Sequence, residues 1–134
     1  MSDIKSHSNH KRRKAVRVEA KAIKNSKSHS KWNRISARKS RQVVNLIRGK
    51  GVDSAVAILK LCTRKAAVPT LKALKSAMAN ATETKKMKLD TLFVKSCWVE
   101  EGPTLRRMLP RARGRADRIR KRTSHTVIIL AERA

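Results

Sequence analysis

The fold depends on residues 92–130, which read LFVKSCWVEEGPTLRRMLPRARGRADRIRKRTSHTVIIL. The two ends, Leu92–Val99 and Thr123–Leu130, are rich in the β-branched and aromatic residues that favour strands. Between them, glycine and proline recur too often for a long helix. The simplest connection is an extended hairpin arm at about residues 99–123.

This arm is long and strongly basic. From Arg106 to Arg122 it holds nine basic residues against one acid, Asp117. About a dozen residues on each side, at ~3.3 Å each, would reach on the order of 40 Å, whereas a domain of this size has a radius of gyration of ~14 Å. A solvated loop is the alternative, but the run also keeps aliphatic residues such as Met108 and Ile119 among its arginines. Such a mixture suits a surface that lies against folded RNA.

The composition of the whole chain agrees with a polyanionic partner. The 134 residues carry 35 Lys and Arg against 9 Asp and Glu, a net charge of +26. This length fits one domain with tails, and self-repulsion at this charge is relieved by a polyanion, most commonly a nucleic acid. With three aromatic residues (Trp32, Phe93 and Trp98), the core must be small and aliphatic.

The N-terminal third divides into three segments. Residues 1–14 are typical of a disordered basic arm, which leaves 15–134 as a single globular domain that includes the hairpin. Ala15–Ala22 alternates apolar and polar residues, as half-buried strands do. Residues 24–33 are predicted to be a polar loop, in which Trp32 either packs over the domain or stacks on a base.

Three helices are predicted in the middle of the chain. The first is capped by Ser36 and buries Val43, Leu46 and Ile47, ending at the glycines near residue 50. The second runs from about Asp53 to Cys62. The third covers roughly 65–85, with Leu71, Leu74, Met78 and Ala81 facing inward. A start nearer Val68 is the alternative, because Pro69 fits only a first turn.

The first predicted helix also has a basic side. Arg38, Arg41 and Arg48 share one helical face, and Lys39 and Lys50 extend it. This face is interpreted as contacting phosphates.

Other classes of protein find little support. Cys62 and Cys97 stand alone and are expected to be buried reduced thiols. We expect no metal site, cofactor or catalytic residues, no secretory signal and no membrane span, hence a soluble intracellular protein. The rival hypothesis is a DNA-binding or nucleoid protein with a helix-turn-helix at the first two helices. It leaves the arm unexplained, and its recognition helix, Val52–Leu61, is mostly apolar.

Several motifs resemble one family, the bacterial-type large-subunit ribosomal protein numbered twenty-two. The similarity runs from about Val16 to Glu132. Its motifs, in the family's order, are RISARK (34–39), LIRGK (46–50), SAMANA (76–81), EGP (101–103), PRARGRADRI (110–119) and KRTSH (121–125). The chain differs from the family's usual pattern in its arm 1–14, in a longer loop 24–33, and in Ala37, where proline is frequent.

The resemblance implies an α+β fold, with three helices packed on a small antiparallel three-stranded sheet and a long protruding basic β-hairpin. It also implies a structural, non-enzymatic constituent of the large ribosomal subunit that supports subunit assembly, in the cytoplasm or in an organelle. The implied partners are large-subunit rRNA, neighbouring large-subunit proteins and the nascent polypeptide, with no membrane and no homo-oligomer.

The resemblance further assigns roles to residues. The hairpin tip, Pro110, Arg111, Ala112, Arg113, Gly114 and Arg115, would line the peptide exit tunnel. The macrolide-response region would be Leu105, Arg106 and Arg107. Together with the basic residues singled out above, the expected rRNA contacts are Arg34, Arg38, Lys39, Arg41, Arg48, Lys50, Arg106, Arg107, Arg111, Arg113, Arg115, Arg118, Lys121 and Arg122.

Overall fold

The computed structural model describes residues 25–133. The predicted arm 1–14 and the predicted strand Ala15–Ala22 lie outside these described residues. Within them the chain forms three helices and five strands. In chain order these are β1 (Asn25–Asn33), α1 (Ala37–Ile47), α2 (Val52–Leu61), α3 (Ala67–Ala79), β2 (Leu92–Glu101), β3 (Leu105–Pro110), β4 (Ala116–Lys121) and β5 (Ser124–Glu132).

The main sheet is antiparallel and three-stranded, in the order β1-β5-β2. Helix α1 packs against β2, and α3 packs against β1 and β5. The core between helices and sheet is aliphatic, with Ile47, Leu74, Ile128 and Leu130 fully buried. The predicted α+β class, with three helices on a small antiparallel sheet, is therefore confirmed.

The prediction of a polar loop at residues 24–33 is wrong, because Asn25–Asn33 is the edge strand β1. Its inward positions are serines instead of apolar residues, so the strand lacks the usual alternation of hydrophobicity. Ser26 is 1% exposed, and its Oγ donates to the Ala77 carbonyl oxygen of α3 at 2.7 Å. These small side chains let α3 approach the sheet closely, while the β1 backbone pairs with β5.

The predicted buried face of α1 is partly wrong. Val43 and Ile47 are buried as expected, but Leu46 is 46% exposed. The inward face also includes Ala37 and Ser40. Because successive residues of a helix are rotated by about 100° around its axis, this face points away from Leu46. The other two helices follow the prediction closely, and Pro69 lies in the first turn of α3. The last residues predicted for α3 form a π-helical turn, Asn80–Thr84.

The two cysteines are free, as expected, but only Cys97 is buried and Cys62 is partly exposed. The Cys97 Sγ lies 3.5 Å from the Val44 carbonyl oxygen, to which it donates. Burial raises the pKa of the Cys97 thiol above its ordinary value, an effect that Arg48 partly offsets. This thiol therefore stays protonated in the folded protein at neutral pH.

We predict that a thiol reagent labels Cys62 well before Cys97 at neutral pH, because the thiolate is the reactive form and Cys97 is both protonated and enclosed. Mass spectrometry of the partly labelled native chain measures the order. In denaturant the two sites should react at similar rates. Equal rates in the native protein would contradict the burial of Cys97.

The hairpin continues outward from β2 and β5. The main-sheet pairing ends at Glu101 opposite Ser124, and the pairing of β3 with β4 runs from Leu105 opposite Lys121 to Pro110 opposite Ala116. Between the two ladders, the Gly102 N–H donates to the Thr123 carbonyl oxygen at 3.0 Å. The Thr123 hydroxyl donates to the Pro103 carbonyl oxygen at 2.7 Å.

A side chain cannot be placed at Gly102 without moving its neighbours. A Cβ atom there would collide with the Thr123 hydroxyl and crowd the His125 ring. The close approach of the two chains at the base of the hairpin thus depends on glycine.

Candidate nucleic-acid interface

The structure places every cation predicted to bind rRNA on the surface of the protein. Helix α1 contains Arg38, Lys39 and Arg41. It is preceded by Arg34 and followed by Arg48 and Lys50. The hairpin and its flanks carry Arg106, Arg107, Arg111, Arg113, Arg115, Arg118, Lys121 and Arg122.

Arginines from separate parts of the chain meet where the hairpin leaves the domain. They line a cavity of about 350 Å³, here called the base cleft. Its lining consists of Ala37, Arg38, Glu101, Gly102, Thr104, Arg106, Arg120, Arg122 and Thr123. Four guanidinium groups and one carboxylate therefore surround a single space, which is an arrangement suited to a phosphate group.

The β-register explains part of this convergence. Arg106 and Arg120 are direct cross-strand partners, so their side chains project from the same face of the hairpin. Like charges directly opposite each other destabilise a β-ladder. An anion between Arg106 and Arg120 would convert that repulsion into attraction.

A second basic space adjoins the base cleft at the N-terminus of α1. This helix-end groove has a volume of about 500 Å³ and is lined by Arg34, Ile35, Ser36, Lys39, Lys65, Arg120, Lys121 and Arg122. Ser36 occupies the N-cap position of α1, but its side chain makes no capping hydrogen bond, contrary to prediction. The groove thus combines six cationic side chains with the positive end of the helix dipole.

Few of these cations have an acidic partner. Among residues 25–133, two ion pairs form within 4.0 Å: Arg41 with Glu101 at 4.0 Å, and Arg111 with Asp117 at 2.9 Å. All four side chains are more than half exposed, and such pairs contribute little to stability. Most of the positive charge on this surface is consequently available to a partner.

The arginine stripe predicted on the first helix is divided between two sites. Arg38 lines the base cleft, whereas Arg41 and Arg48 line a separate cleft of about 290 Å³ beside Trp98. Arg48 also donates from Nη2 to the Cys97 carbonyl oxygen at 2.8 Å. Part of its hydrogen-bonding capacity therefore holds α1 against β2.

The tip of the hairpin is a tight turn. The Arg111 N–H donates to the Arg115 carbonyl oxygen at 2.8 Å. Within this loop, Arg113 (φ 56°) and Gly114 (φ 67°) both adopt left-handed backbone conformations. Every residue from Arg106 to Arg118 is exposed, so the tip presents its arginines to solvent.

Two residues of this surface were not predicted from the sequence. Arg120 lines both basic spaces, and Lys65, from the connection between α2 and α3, lines the helix-end groove. The alternation Arg118, Arg120, Arg122 along a strand was a usable signal for Arg120. Lys65 reaches the groove only through tertiary packing.

The part of the chain that the structure describes has neither a metal-binding cluster nor a membrane-spanning helix. No group of three or more His, Cys, Asp or Glu side chains there could hold a metal ion. No helix between residues 25 and 133 is long and apolar enough to cross a membrane.

An α+β domain with clustered arginines and an exposed basic hairpin defines the class of basic nucleic-acid-binding proteins. Within this class, the model of the family described as Ribosomal protein L22p/L17e matches residues 28–131, and the chain belongs to this family. The resemblance found in the sequence motifs is thereby confirmed.

Curated relatives are similar in sequence to this protein over most of its length. The large ribosomal subunit protein uL22 of Desulfitobacterium hafniense is 50% identical over 111 residues, covering 83% of this chain and 97% of that protein. The uL22 protein of Thermus thermophilus is 50% identical over 116 residues, covering 87% of this chain and 97% of that protein. That of Pelotomaculum thermopropionicum is 46% identical over the same length and with the same coverage. The DNA-binding alternative receives no support from these matches.

Proposed function

We propose that the protein is a structural constituent of the large ribosomal subunit, which binds large-subunit rRNA and catalyses no reaction. Family membership supports the ribosomal role. The observation that carries the rRNA-binding part is the base cleft, in which Arg38, Arg106, Arg120 and Arg122 converge around about 350 Å³. Arginine is the side chain best suited to bidentate contacts with phosphate.

The binding mechanism follows from the charge distribution. Arginine and lysine side chains replace the counterions that crowd around the phosphates of folded RNA, and counterion release favours the complex. Phosphates in the base cleft and helix-end groove would fix the hairpin relative to α1. The domain would then dock while RNA folds around the arm, which accounts for a role in subunit assembly.

The finer assignments belong to the same proposal. The chain would comprise a basic arm at 1–14 and one domain at 15–134, with the arm of the hairpin at about 99–123. The tip, Pro110–Arg115, would line the peptide exit tunnel and face the nascent polypeptide. These assignments rest on the resemblance, and the exposure of the hairpin is compatible with them. Two further assignments also rest on the resemblance: neighbouring subunit proteins as partners, and Leu105–Arg107 as the macrolide-response region.

We predict that the full chain co-sediments with large subunits in a gradient of cell lysate. High salt should strip it from purified subunits, because its contacts are largely ionic. Immunoblotting of gradient fractions at increasing salt measures both effects.

Nuclease treatment provides the control for this experiment. Digestion with DNase should leave the protein with the subunits, whereas digestion with RNase should release it. Sedimentation with DNA, or release by DNase alone, would support the nucleoid alternative and overturn the proposal.

A further inference from the structure

Trp32 lies in an unusual position for a large aromatic residue. Its side chain is 61% exposed, and its backbone has φ 59°, in the left-handed region that non-glycine residues rarely adopt. Two contacts with β5 stabilise this strained backbone conformation. The Trp32 N–H donates to His125 Nδ1 at 2.9 Å, and the two rings meet edge to face with centroids 5.2 Å apart.

A β-bulge accounts for the outward direction of Trp32. Pairing of β1 with β5 is regular up to Ser30 opposite Thr126 and resumes at Asn33 opposite Ser124, with one extra residue on β1. In a strand with uninterrupted alternation, Trp32 would continue the inward series of Ser26, Ser28 and Ser30. The bulge shifts the alternation, so the indole lies outside the core and Asn33 lies inward, near Thr126.

The exposed indole borders an apolar cleft of about 390 Å³, here called the tryptophan cleft. Its lining consists of Trp32, Asn33, Arg34, Ile35, Lys65, Val68 and Pro69. No acidic residue is among them, and the volume falls in the ~300–1,000 Å³ range of pockets that take small organic groups. Val68, beside Trp32, is itself 60% exposed.

The tryptophan cleft is continuous with the basic surface. Arg34, Ile35 and Lys65 line both this cleft and the helix-end groove. An aromatic surface next to cations matches a single nucleotide, which has a flat base and an anionic phosphate. Proteins that bind single-stranded RNA use this combination, with bases stacked on aromatic rings and the backbone in a basic groove.

We propose that the tryptophan cleft receives one unstacked nucleobase of RNA, with Trp32 as the stacking surface and Arg34 and Lys65 as contacts for its phosphates. This inference rests on the proposed function, since it names a site for the same RNA partner. The strained bulge then has a role, because it places the indole beside the groove instead of in the core.

The first test uses fluorescence of the full chain. The chain has two tryptophans, so the Trp98→Phe variant leaves Trp32 as the reporter. A short single-stranded RNA should quench its fluorescence, whereas inorganic polyphosphate should bind without comparable quenching. Equal quenching by polyphosphate, or no quenching at RNA concentrations where anisotropy of a labelled RNA reports binding, would overturn the proposal.

The second test measures affinity. Trp32→Gly should weaken binding of the short RNA on the order of 10- to 100-fold, as loss of one stacked base does. It should leave binding of an RNA with abasic nucleotides in place of its bases unchanged. Because glycine accepts a positive φ without strain, this variant should remain folded. Leu61→Ala removes another exposed apolar side chain, 84% exposed and outside the cleft, and should change neither affinity.

The assembled subunit separates the possible partners. Ultraviolet crosslinking should join Trp32 to an rRNA nucleotide; a crosslink to a polypeptide would show that another protein occupies the cleft and would overturn the inference. If wild-type and Trp32→Gly chains co-sediment equally with subunits and Trp32 forms no RNA crosslink, the inference fails while the proposed function stands. If the wild type does not co-sediment, the proposed function itself fails.

Discussion

Replacing residues 105–120 by a short glycine-serine turn should abolish tight binding to large-subunit rRNA while leaving the domain folded. The replacement removes seven arginines. At ~0.9 per lost phosphate contact, the slope of log affinity against log salt should become shallower by as much as about 6. Filter binding at several salt concentrations measures this slope, and affinity at physiological salt should fall by several orders of magnitude.

The domain should tolerate the loss because β3 and β4 pair chiefly with each other and supply no residue to the buried core. Circular dichroism and a urea midpoint near that of the full chain would show this. A control for loss of charge elsewhere replaces three lysines, Lys85, Lys86 and Lys88, by glutamine, since these exposed residues line neither basic space. The control variant should make the salt slope only slightly shallower. Collapse of the fold, or an unchanged salt slope after removal of the hairpin, would contradict the division between domain and arm.

Leu74→Ala should lower the free energy of unfolding by about 2–5 kcal/mol. Leu74 is fully buried in α3, within the core between helices and sheet. The substitution removes apolar contacts and leaves a cavity that neighbouring side chains fill only partly. Because native domains are stable by only about 5–15 kcal/mol, this loss is large, and urea denaturation at fixed salt measures it.

Leu61→Ala is the matched control, since it makes the same chemical change at the end of another helix. Leu61 is 84% exposed, so its substitution should alter stability by no more than about 0.5 kcal/mol. Similar losses for the two variants would mean that α3 is not packed as described.

The hairpin strands and the helices could be predicted because their signals are local. The β-branched runs around residues 92–99 and 123–130, and the proline and glycine residues between them, act over a few positions in the chain. The same holds for Pro69, whose ring permits only the first turn of a helix. These features need no knowledge of distant residues.

Strand β1 could not be predicted in this way. Its inward residues are serines, which mark loops as often as strands, and its stability comes from pairing with β5, about a hundred residues later. The apolar side chain of Leu46 predicts a place in the core, whereas the packing of α1 against β2 decides which face of the helix is buried.

The features of the candidate site also fall into two groups, those that the sequence predicts and those that the tertiary structure decides. Its charge, its richness in arginine and its location on an extended arm follow from the sequence alone, because they depend only on residue type and chain order. Which arginines share a space was decided by the tertiary structure: the β-register brings Arg106 opposite Arg120, and packing of the hairpin base near α1 adds Arg38. The orientation of Trp32 likewise depends on the bulge in β1, and this bulge forms only when β1 pairs with β5.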